Sequence, residues 1–370
     1  MKKYLLTISY VLLAASANAE NFFYEYDVIA NGFYGYSQYS DKYRQLYKHH
    51  HTPVNAEIST LWGDKFSEDL SFSLGIDGQI AGGKELEDYN QGDWGENVYG
   101  SLNTLYGEFT VGQVYNAAYQ MAVGAPSVGF FRANNSPITD FIYNPNWRRY
   151  GNVTAYRTLN STYLNADADA FKVSYITPVF YNSKLAVSYT PDSYSKAGLI
   201  NKDSTYDNCS SYAIGLYNDW DTDFVEIESS LGYAYNHKNN QEISAGLSLY
   251  RKGWTLGGSY RKSYTSSNDY SLNERKTGNM PQYFDLYRRG QAYNLGLSYE
   301  IGPFKTGVTY FQAKSDKKDY KDEIVTWANR FAINKYVGLY LATAYARYKG
   351  DEINDSNKGY AFMGGVELSF

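Results

Sequence analysis

The sequence has little cysteine and no long apolar run after its first residues. Its 370 residues include one cysteine, Cys209, which cannot form an internal disulfide and lacks a lipoprotein-type setting. Beyond the N-terminal segment, no apolar stretch approaches the ~20 residues that a membrane-spanning helix needs. Together with a mean hydropathy of -0.53, this excludes a helical membrane protein. Basic clusters of the kind that bind nucleic acid are also missing, so nucleic acid is not an expected partner.

The N-terminus combines the three parts of an export signal. Two lysines precede an apolar run over residues 4–15, and Ala17-Asn18-Ala19 gives the small-x-small pattern that a signal peptidase accepts. We therefore expect residues 1–19 to be a removed signal peptide and residues 20–370 to form one exported domain. A buried N-terminal helix is the alternative. Removal leaves 351 residues and changes the net charge from -5 to -7, because both lysines leave.

Tyrosine is unusually abundant. The chain has 42 tyrosines, and aromatic residues make up 18% of it. A membrane β-barrel places aromatic girdles at both interfaces, and its alternating strands escape hydropathy plots. A tyrosine-rich adhesin would share this bias, so composition leaves both classes open.

Apolar and polar residues alternate with a period of two along most of the chain. In the last strand, Phe362, Val366, Leu368 and Phe370 share one face, while smaller or polar residues occupy the other. Side chains alternate across a strand, so this period predicts β-structure. The sixteen predicted strands cover about residues 24–40, 53–63, 70–76, 97–103, 105–114, 169–177, 183–190, 210–218, 225–233, 243–249, 254–260, 293–299, 304–310, 321–332, 336–348 and 360–370.

Long and short links alternate between these strands, and the longest link spans residues 115–168. All eight prolines fall in or beside links, so none is expected to interrupt a strand. Most apolar faces hold no charge, and a Lys or Arg at mid-bilayer would cost roughly 2–4 kcal/mol there. These patterns predict an all-β fold, a transmembrane antiparallel β-barrel of sixteen strands with a wet interior. Two stacked sheets in a β-sandwich are the alternative.

Two motifs resemble those of a known family. The stretch Tyr106-Gly-Glu-Phe-Thr-Val-Gly112-Gln113 is similar to the fifth-strand motif of Gram-negative general diffusion porins, although the family's arginine before the glutamine is missing. The stretch from Phe171 to Pro178 is similar to the strand after their third loop, and the chain ends on Phe370. The Pro-Glu-Phe-Gly-Gly loop signature of enteric porins is absent.

This resemblance implies a homotrimer of water-filled barrels in the Gram-negative outer membrane. Its partners would be outer-membrane lipid, the barrel-assembly machinery during biogenesis, and the small hydrophilic solutes and ions that diffuse through it. The long third loop, residues 115–168, would fold into the lumen and form the constriction. A substrate-selective channel, for example for oligosaccharides, and an adhesin with a closed lumen are the alternatives.

Charges on this loop and on the facing wall are the candidates for setting the pore's field. The loop is mostly basic, whereas inward positions on the second and third strands are acidic, so we expect a transverse field across the constriction. The alternative is that the arginines face solvent or a trimer partner. The constriction candidates are Arg132, Asp140, Arg148, Arg149, Arg157, Glu57 and Asp77.

Further charges occupy inward positions on other predicted strands. Their signs are mixed, which opposes a strongly anion-selective pore and, with the net negative charge, favours a weak cation preference. We expect most of them to be solvated side chains of the lumen wall. They are Lys172, Lys184, Glu226, Glu228, Glu242, Arg261, Lys305 and Arg330.

The histidines give little support for a metal-binding or catalytic site. His49, His50 and His51 could bind a transition metal weakly, but three adjacent residues rarely face one ion, so we expect a solvated loop. No serine or aspartate is tied to a histidine by a recognisable motif, and neither an enzyme, a cofactor nor a metal site is expected. Phe370 is expected to be an assembly signal, on a last strand that pairs with the first near Phe33 to Tyr36.

Overall fold

The structure is a computed structural model of the chain. It describes residues 21–39, 49–84, 97–129, 131–134, 141–150, 153–156, 158–164, 167, 170–191, 210–236, 240–264, 290–316, 319–350 and 356–370. Across these ranges, no helix has the length and apolarity to cross a bilayer. Cys209 and the expected signal peptide lie outside the described residues.

The described residues form eighteen strands and one short helix. In chain order these are β1 (Phe22–Tyr39), β2 (His50–Ser67), β3 (Leu70–Lys84), β4 (Asn97–Thr104), β5 (Gly107–Gln113), α1 (Ala117–Gln120), β6 (Trp147–Tyr150), β7 (Val153–Tyr156), β8 (Phe171–Ile176), β9 (Ser183–Thr190), β10 (Ser211–Asp221), β11 (Glu226–Asn236), β12 (Asn240–Arg251), β13 (Trp254–Tyr264), β14 (Gly290–Ile301), β15 (Phe304–Ser315), β16 (Lys321–Ala332), β17 (Val337–Lys349) and β18 (Asn357–Ser369).

Sixteen of the described strands close into one antiparallel barrel, which confirms the predicted architecture. Each strand pairs with its neighbours along the chain, and β1 closes the sheet against β18. Phe33 lies opposite Gly365 and Tyr36 opposite Phe362, so the first and last strands meet where the sequence predicted. Closure satisfies the main-chain groups of both edges, as a lipid environment requires. The hairpin β6–β7 is separate and was not predicted.

The two faces of each strand differ in the way the alternation predicted. In β18, Phe362 and Val366 are 51% and 41% exposed on the outer face, whereas Ala361 and Met363 are 0% and 1% exposed on the inner face. The outer face is therefore apolar and open to lipid. Buried side chains lie inside the barrel, where alanines of β14–β18 pack with Phe131, Phe141 and Ile142.

Two local expectations are wrong. The link predicted at residues 103–104 lies two residues later: Thr104 ends β4, and its hydroxyl donates to Gly107 O (2.9 Å) and accepts from Tyr106 N (3.1 Å). Pro53 does lie within a strand, because β2 begins at His50. The β1–β2 pairing skips from Val54 to His51 there, since proline has no N–H to donate to the ladder.

Candidate functional site

The described part of one long connection lies inside the barrel. Residues 114–170 join β5 to β8, and we call them the lining segment. The segment turns inward at α1, whose first turn is capped by Asn116: its side-chain oxygen accepts from Tyr119 N at 2.9 Å. Ala117 and Ala118 are fully buried against β9–β11. The long third loop therefore packs onto the inner wall from its first turn.

The wall under the first part of the lining segment is made of glycine. Six consecutive strands, β10–β15, each turn a glycine inward where the segment crosses them. A Cβ added at Gly246 would lie 1.9 Å from Val123 O, and one at Gly257 would lie 2.5 Å from Gly124 O. These distances leave no room for a side chain at Gly246, Gly257 or Gly215, where main chain lies directly on main chain, while the segment meets the other three glycines with side-chain atoms. The six glycines, which we call the glycine track, are Gly215, Gly232, Gly246, Gly257, Gly296 and Gly307.

Polar wall side chains hold the segment onto this track. Three main-chain N–H groups of the segment donate to side chains of β9, β11 and β14, so they do not need partners within the segment. The bonds are Ala117 N to Ser188 Oγ at 3.0 Å, Val123 N to Ser230 Oγ at 2.9 Å and Ala125 N to Asn294 Oδ1 at 3.2 Å.

A buried ion pair fixes the returning half of the segment. Arg261 on β13 donates to both carboxylate oxygens of Glu242 on β12, at 2.8 and 2.9 Å, and both side chains are covered. The other terminal nitrogen of Arg261, Nη1, donates to Tyr163 O at 2.6 Å and to Ser161 O at 3.3 Å. The pair therefore binds the main chain of the segment as well as joining two strands.

The two ends of the segment are joined by Lys172. Its fully buried ammonium donates to Val114 O (2.5 Å), Asp167 O (2.8 Å) and Ala170 O (2.8 Å). Because Val114 begins the segment and Ala170 ends it, one side chain closes the base of the connection.

Asp322 on β16 holds the second half. Its carboxylate accepts from Asn144 Nδ2 (3.0 Å), Asn146 Nδ2 (2.7 Å) and Thr158 Oγ1 (2.5 Å). Sequence reasoning missed both Asp322 and the glycine track. The sequence did hold a signal for the glycine track, because each of these glycines stands at an inner-face position of a strand in which apolar and polar residues alternate.

The constriction candidates are only partly placed. Arg132 is exposed, between the buried Phe131 and Ala133. Glu57 and Asp77 lie on inner-face positions of β2 and β3, and Asp77 Oδ2 accepts from Asn97 Nδ2 at 3.1 Å. Asp140 and Arg157 lie outside the described residues. Arg148 and Arg149 belong to β6, and their side chains are not described.

The wall candidates divide into two groups. Lys172, Glu242 and Arg261 are fully buried beneath the segment, so they are not the solvated lumen side chains that the sequence predicted. The others lie on inner-face positions with part of their surface accessible, and Arg330 Nη2 is 2.8 Å from Glu367 Oε1. This second group comprises Lys184, Glu226, Glu228, Lys305 and Arg330.

Three tyrosines of the segment form an aromatic stack. The ring centroids of Tyr115 and Tyr119 are 4.1 Å apart with planes 13° from parallel, and Tyr163 meets Tyr119 edge-on at 5.5 Å. Burial raises the pKa of Tyr119 and Tyr163 above 10, so both phenols are neutral at neutral pH.

The histidine run does not converge on one point. His51 Nε2 lies 2.8 Å from Ser37 Oγ, whereas His50 Nδ1 lies 2.6 Å from Tyr34 OH. The expectation of a solvated loop is wrong for His51, which is a strand residue only 2% exposed and packed on Phe141. The described part of the chain contains no cluster of three or more His, Cys, Asp or Glu arranged to hold a metal.

A closed sixteen-strand barrel with an apolar outer face, charged inner positions and an inward-folded connection is the architecture of a transmembrane channel. The family model described as "Gram-negative porin" matches residues 7–351. The chain belongs to that family and is an outer-membrane diffusion channel.

Individual relatives are distant in sequence. An uncharacterized protein of Rickettsia bellii (strain RML369-C) is 23% identical over 333 residues, which is 73% of this chain and 75% of that protein. The anion-selective porin from Comamonas acidovorans superposes with a TM-score of 0.60 at 16% identity, covering 94% of this chain and all of that one. The trimer form of an outer-membrane protein of Vibrio cholerae gives 0.59 at 10% identity, covering 95% and 100%. These structures share the fold.

Proposed function

We propose that the barrel passes ions and small hydrophilic solutes through a lumen narrowed by the lining segment, with a weak preference for cations. The observation that carries this proposal is the course of the segment along the glycine track. The described part of the segment follows the inner wall, from β10–β15 at the glycine track to β16–β18, β1 and β2 beside Phe131 and Phe141. A sixteen-strand barrel is wide enough to retain an aqueous passage beside it.

The cation preference rests on the inner-face charges. Acidic side chains predominate on the described inner positions that the segment leaves accessible, and clefts lined by one sign of charge concentrate the opposite ion. The Comamonas porin is called anion-selective, whereas this lumen favours the opposite sign. The acids are Glu25, Asp27, Glu57, Asp77, Glu108, Asp219, Asp221, Glu226, Glu228 and Glu300, and the bases are Lys65, Lys184, Lys305 and Arg330.

A transverse field at the constriction follows from the position of Arg132. The residues beside it pack on β14, β17 and β1: Phe131 contacts Tyr340 and Phe33, and Asn134 accepts from Asn294. Glu57 and Asp77 lie on inner-face positions of β2 and β3, the strands that follow β1 in the closed barrel. We propose that the field between Arg132 and these carboxylates orients dipolar solutes in the passage.

Three further parts of the proposal concern biogenesis and assembly. Residues 1–19 would be cleaved during export, leaving residues 20–370 as the mature domain. The barrels would assemble as homotrimers in outer-membrane lipid with help from the barrel-assembly machinery. N-terminal sequencing of the exported protein would test the cleavage, and a different first residue than Glu20 would contradict it.

A substrate-selective channel is the second candidate, and the aromatic stack favours it. Sugar rings present apolar faces that pack on aromatic rings, and Tyr115, Tyr119 and Tyr163 belong to the segment that narrows the lumen. Saturable block of the current by an oligosaccharide, relieved in Tyr119→Ala, would support this candidate.

Planar-bilayer recording of the purified protein tests the main proposal. We expect ohmic conductance steps in groups of three, and a reversal potential of cation-selective sign in a KCl gradient. Absence of conductance would contradict the open channel, whereas a reversal potential of anion-selective sign would contradict the charge argument alone.

A further inference from the structure

A cavity of about 490 Å³ lies between the inner wall and the lining segment, at the end of the barrel that carries the short turns. Ser127 and Gly129 of the segment form one side of it, and the turn at Gly302 and Pro303 forms another. Small-molecule sites usually have volumes of roughly 300–1,000 Å³. The charged side chains on the cavity wall are only partly covered, so a solute in the passage reaches them.

Two cations lie directly opposite each other on this wall. Lys305 on β15 is in register with Arg330 on β16, and both line the cavity. Neighbouring strands are about 4.8 Å apart, and like charges directly opposite each other destabilise a sheet. An anion held between the two side chains would remove this repulsion.

Both cations keep unused hydrogen-bonding capacity. Arg330 donates to Glu367 Oε1 from Nε at 3.2 Å and from Nη2 at 2.8 Å. Its Nη1 has no hydrogen-bond partner within the part of the chain that the structure describes. Lys305 Nζ lies 3.5 Å from Glu300 Oε2, beyond the roughly 2.7–3.2 Å of an N–H to O hydrogen bond. Donors from two neighbouring strands are therefore available to one carboxylate.

Acidic side chains flank the two cations. Glu300 on β14 lies opposite Lys305, and Glu367 on β18 holds Arg330. The four side chains carry two positive and two negative charges, so the cavity has no net charge but separates the two signs. The side chain of Glu300 is 57% exposed and remains accessible to a cationic group. A ligand that carries both charges matches this wall better than a simple anion does.

The remaining wall includes apolar surface. Ile29 of β1, Pro303 of the turn and Ala332 of β16 line the same cavity. Burial of apolar area on such surface favours a ligand with a small apolar body, at about 25 cal/mol for each Å² removed from water.

We propose that this cavity binds zwitterionic amino acids with an apolar side chain on their way through the channel. The ligand carboxylate accepts charge-assisted hydrogen bonds from Lys305 and from Nη1 of Arg330, and the ligand ammonium group faces Glu300. The apolar side chain packs on the apolar part of the wall. The inference rests on the proposed function, because it names one class of solute that the passage delivers to the site.

Binding of leucine to the purified, detergent-solubilised protein tests the proposal, measured by ligand-observed NMR against empty micelles. The comparison probes are leucinamide, which lacks the carboxylate, and 4-methylpentanoate, which lacks the ammonium group. We expect leucine to bind about tenfold more tightly than either, since each comparison probe loses a hydrogen bond to a charged group. Binding of leucinamide as tight as that of leucine would overturn the site. Equal binding of 4-methylpentanoate would overturn the zwitterion as the ligand.

A matched pair of variants locates the site. Lys305 and Lys184 are each the second residue of a strand that follows a short turn, and both occupy inner-face positions. K305Q should weaken leucine binding about tenfold, because it removes a charged hydrogen bond to the carboxylate. K184Q removes the same charge from β9, outside the cavity, and should bind leucine as the wild type does. With circular dichroism showing both variants folded, equal loss in the two would overturn the location.

The site and the channel fail in different experiments. A protein that conducts ions in planar bilayers but does not bind leucine would refute the site alone. A protein that binds leucine but shows no conductance would refute the open channel and leave the site in place.

Discussion

Arg261 and Glu242 form an ion pair at 2.8 Å that is buried between the barrel wall and the lining segment. The arginine also donates to the carbonyl oxygens of Tyr163 and Ser161, so the pair joins the wall to the segment. The two residues of the pair lie on adjacent strands, about a hundred positions later in the chain than the carbonyl groups they hold. The pair therefore fixes the segment to a distant part of the chain.

Glu242→Gln should destabilise the barrel and loosen the segment. The substitution leaves the Arg261 charge buried without its partner, and breaking a buried pair costs about 3–5 kcal/mol. The free energy of unfolding in urea should fall, and single-channel recordings should show added current noise. Lys184→Gln, also on an inner-face position but not covered, is the control. Equal stability in the two variants would show that the pair contributes little.

Gly246→Ala should narrow the channel. The new Cβ would lie 1.9 Å from Val123 O, so the segment must move by about 1.5 Å into the lumen to reach an ordinary contact of 3.4 Å. We expect a lower single-channel conductance and a stability loss of about 1–3 kcal/mol. Gly364→Ala is the control, because its nearest atom would be 3.8 Å away. Unchanged conductance in Gly246→Ala would refute the tight apposition.

Arg132→Glu should increase the preference for cations. The change replaces an exposed cation of the segment with an anion, so the accessible charges of the passage become more acidic. We expect the cation-to-anion permeability ratio to rise by at least about twofold, measured as the reversal potential in a KCl gradient. Lys335→Glu, in a turn outside the lumen, makes the same charge change. A similar shift in both variants would mean that net charge, not the constriction, sets selectivity.

Asp322→Asn should release the second half of the segment. One carboxylate oxygen becomes an amide that faces donors from Asn144, Asn146 and Thr158, and each unsatisfied buried group costs about 1–3 kcal/mol. Limited proteolysis should cleave the segment faster than in the wild type, while Asp316→Asn, partly exposed, should behave as the wild type does. Equal cleavage rates in all three proteins would exclude Asp322 as an anchor.

Deleting Phe370 should reduce assembly without altering the assembled channel. Phe370 exchanges two main-chain hydrogen bonds with Val28, at 2.9 and 3.1 Å, at the seam between β1 and β18, and its ring stacks on Tyr336. We expect less heat-modifiable, folded barrel in outer-membrane fractions and normal conductance of the channels that form. Wild-type amounts of folded protein would refute an assembly role.

Much of the fold could be predicted from the sequence because a barrel strand is a local pattern. Alternation alone assigns Phe362 to the outer face and Ala361 to the inner face. The links between strands are identified by the positions where the alternation stops. The strand count and the β1–β18 seam follow from the same pattern. Exact ends were less predictable: Pro53 fits within β2 where the β1–β2 ladder skips two pairs, which is a property of two strands rather than one.

The site was harder to predict, because its anchors join residues far apart in the chain. The sequence identified Arg261, Glu242 and Lys172 as inner-face charges but could not tell that the lining segment would cover them. The period of the pattern specifies which face of the strand a side chain lies on. Its burial depends on whether a distant part of the chain, here the lining segment, packs over it. Asp322 was missed for the same reason, since its three donors lie over 160 residues away.

The glycine track makes the bore of this channel a matter of main-chain geometry. Where the two backbones touch, at Gly215, Gly246 and Gly257, their spacing does not depend on the size of any side chain. Side chains on the free side of the lining segment can be exchanged without moving these contacts. Selectivity and aperture are therefore separable in this barrel: selectivity varies with the exposed side chains, whereas aperture depends on the close approach of the segment to wall glycines, which have no side chain.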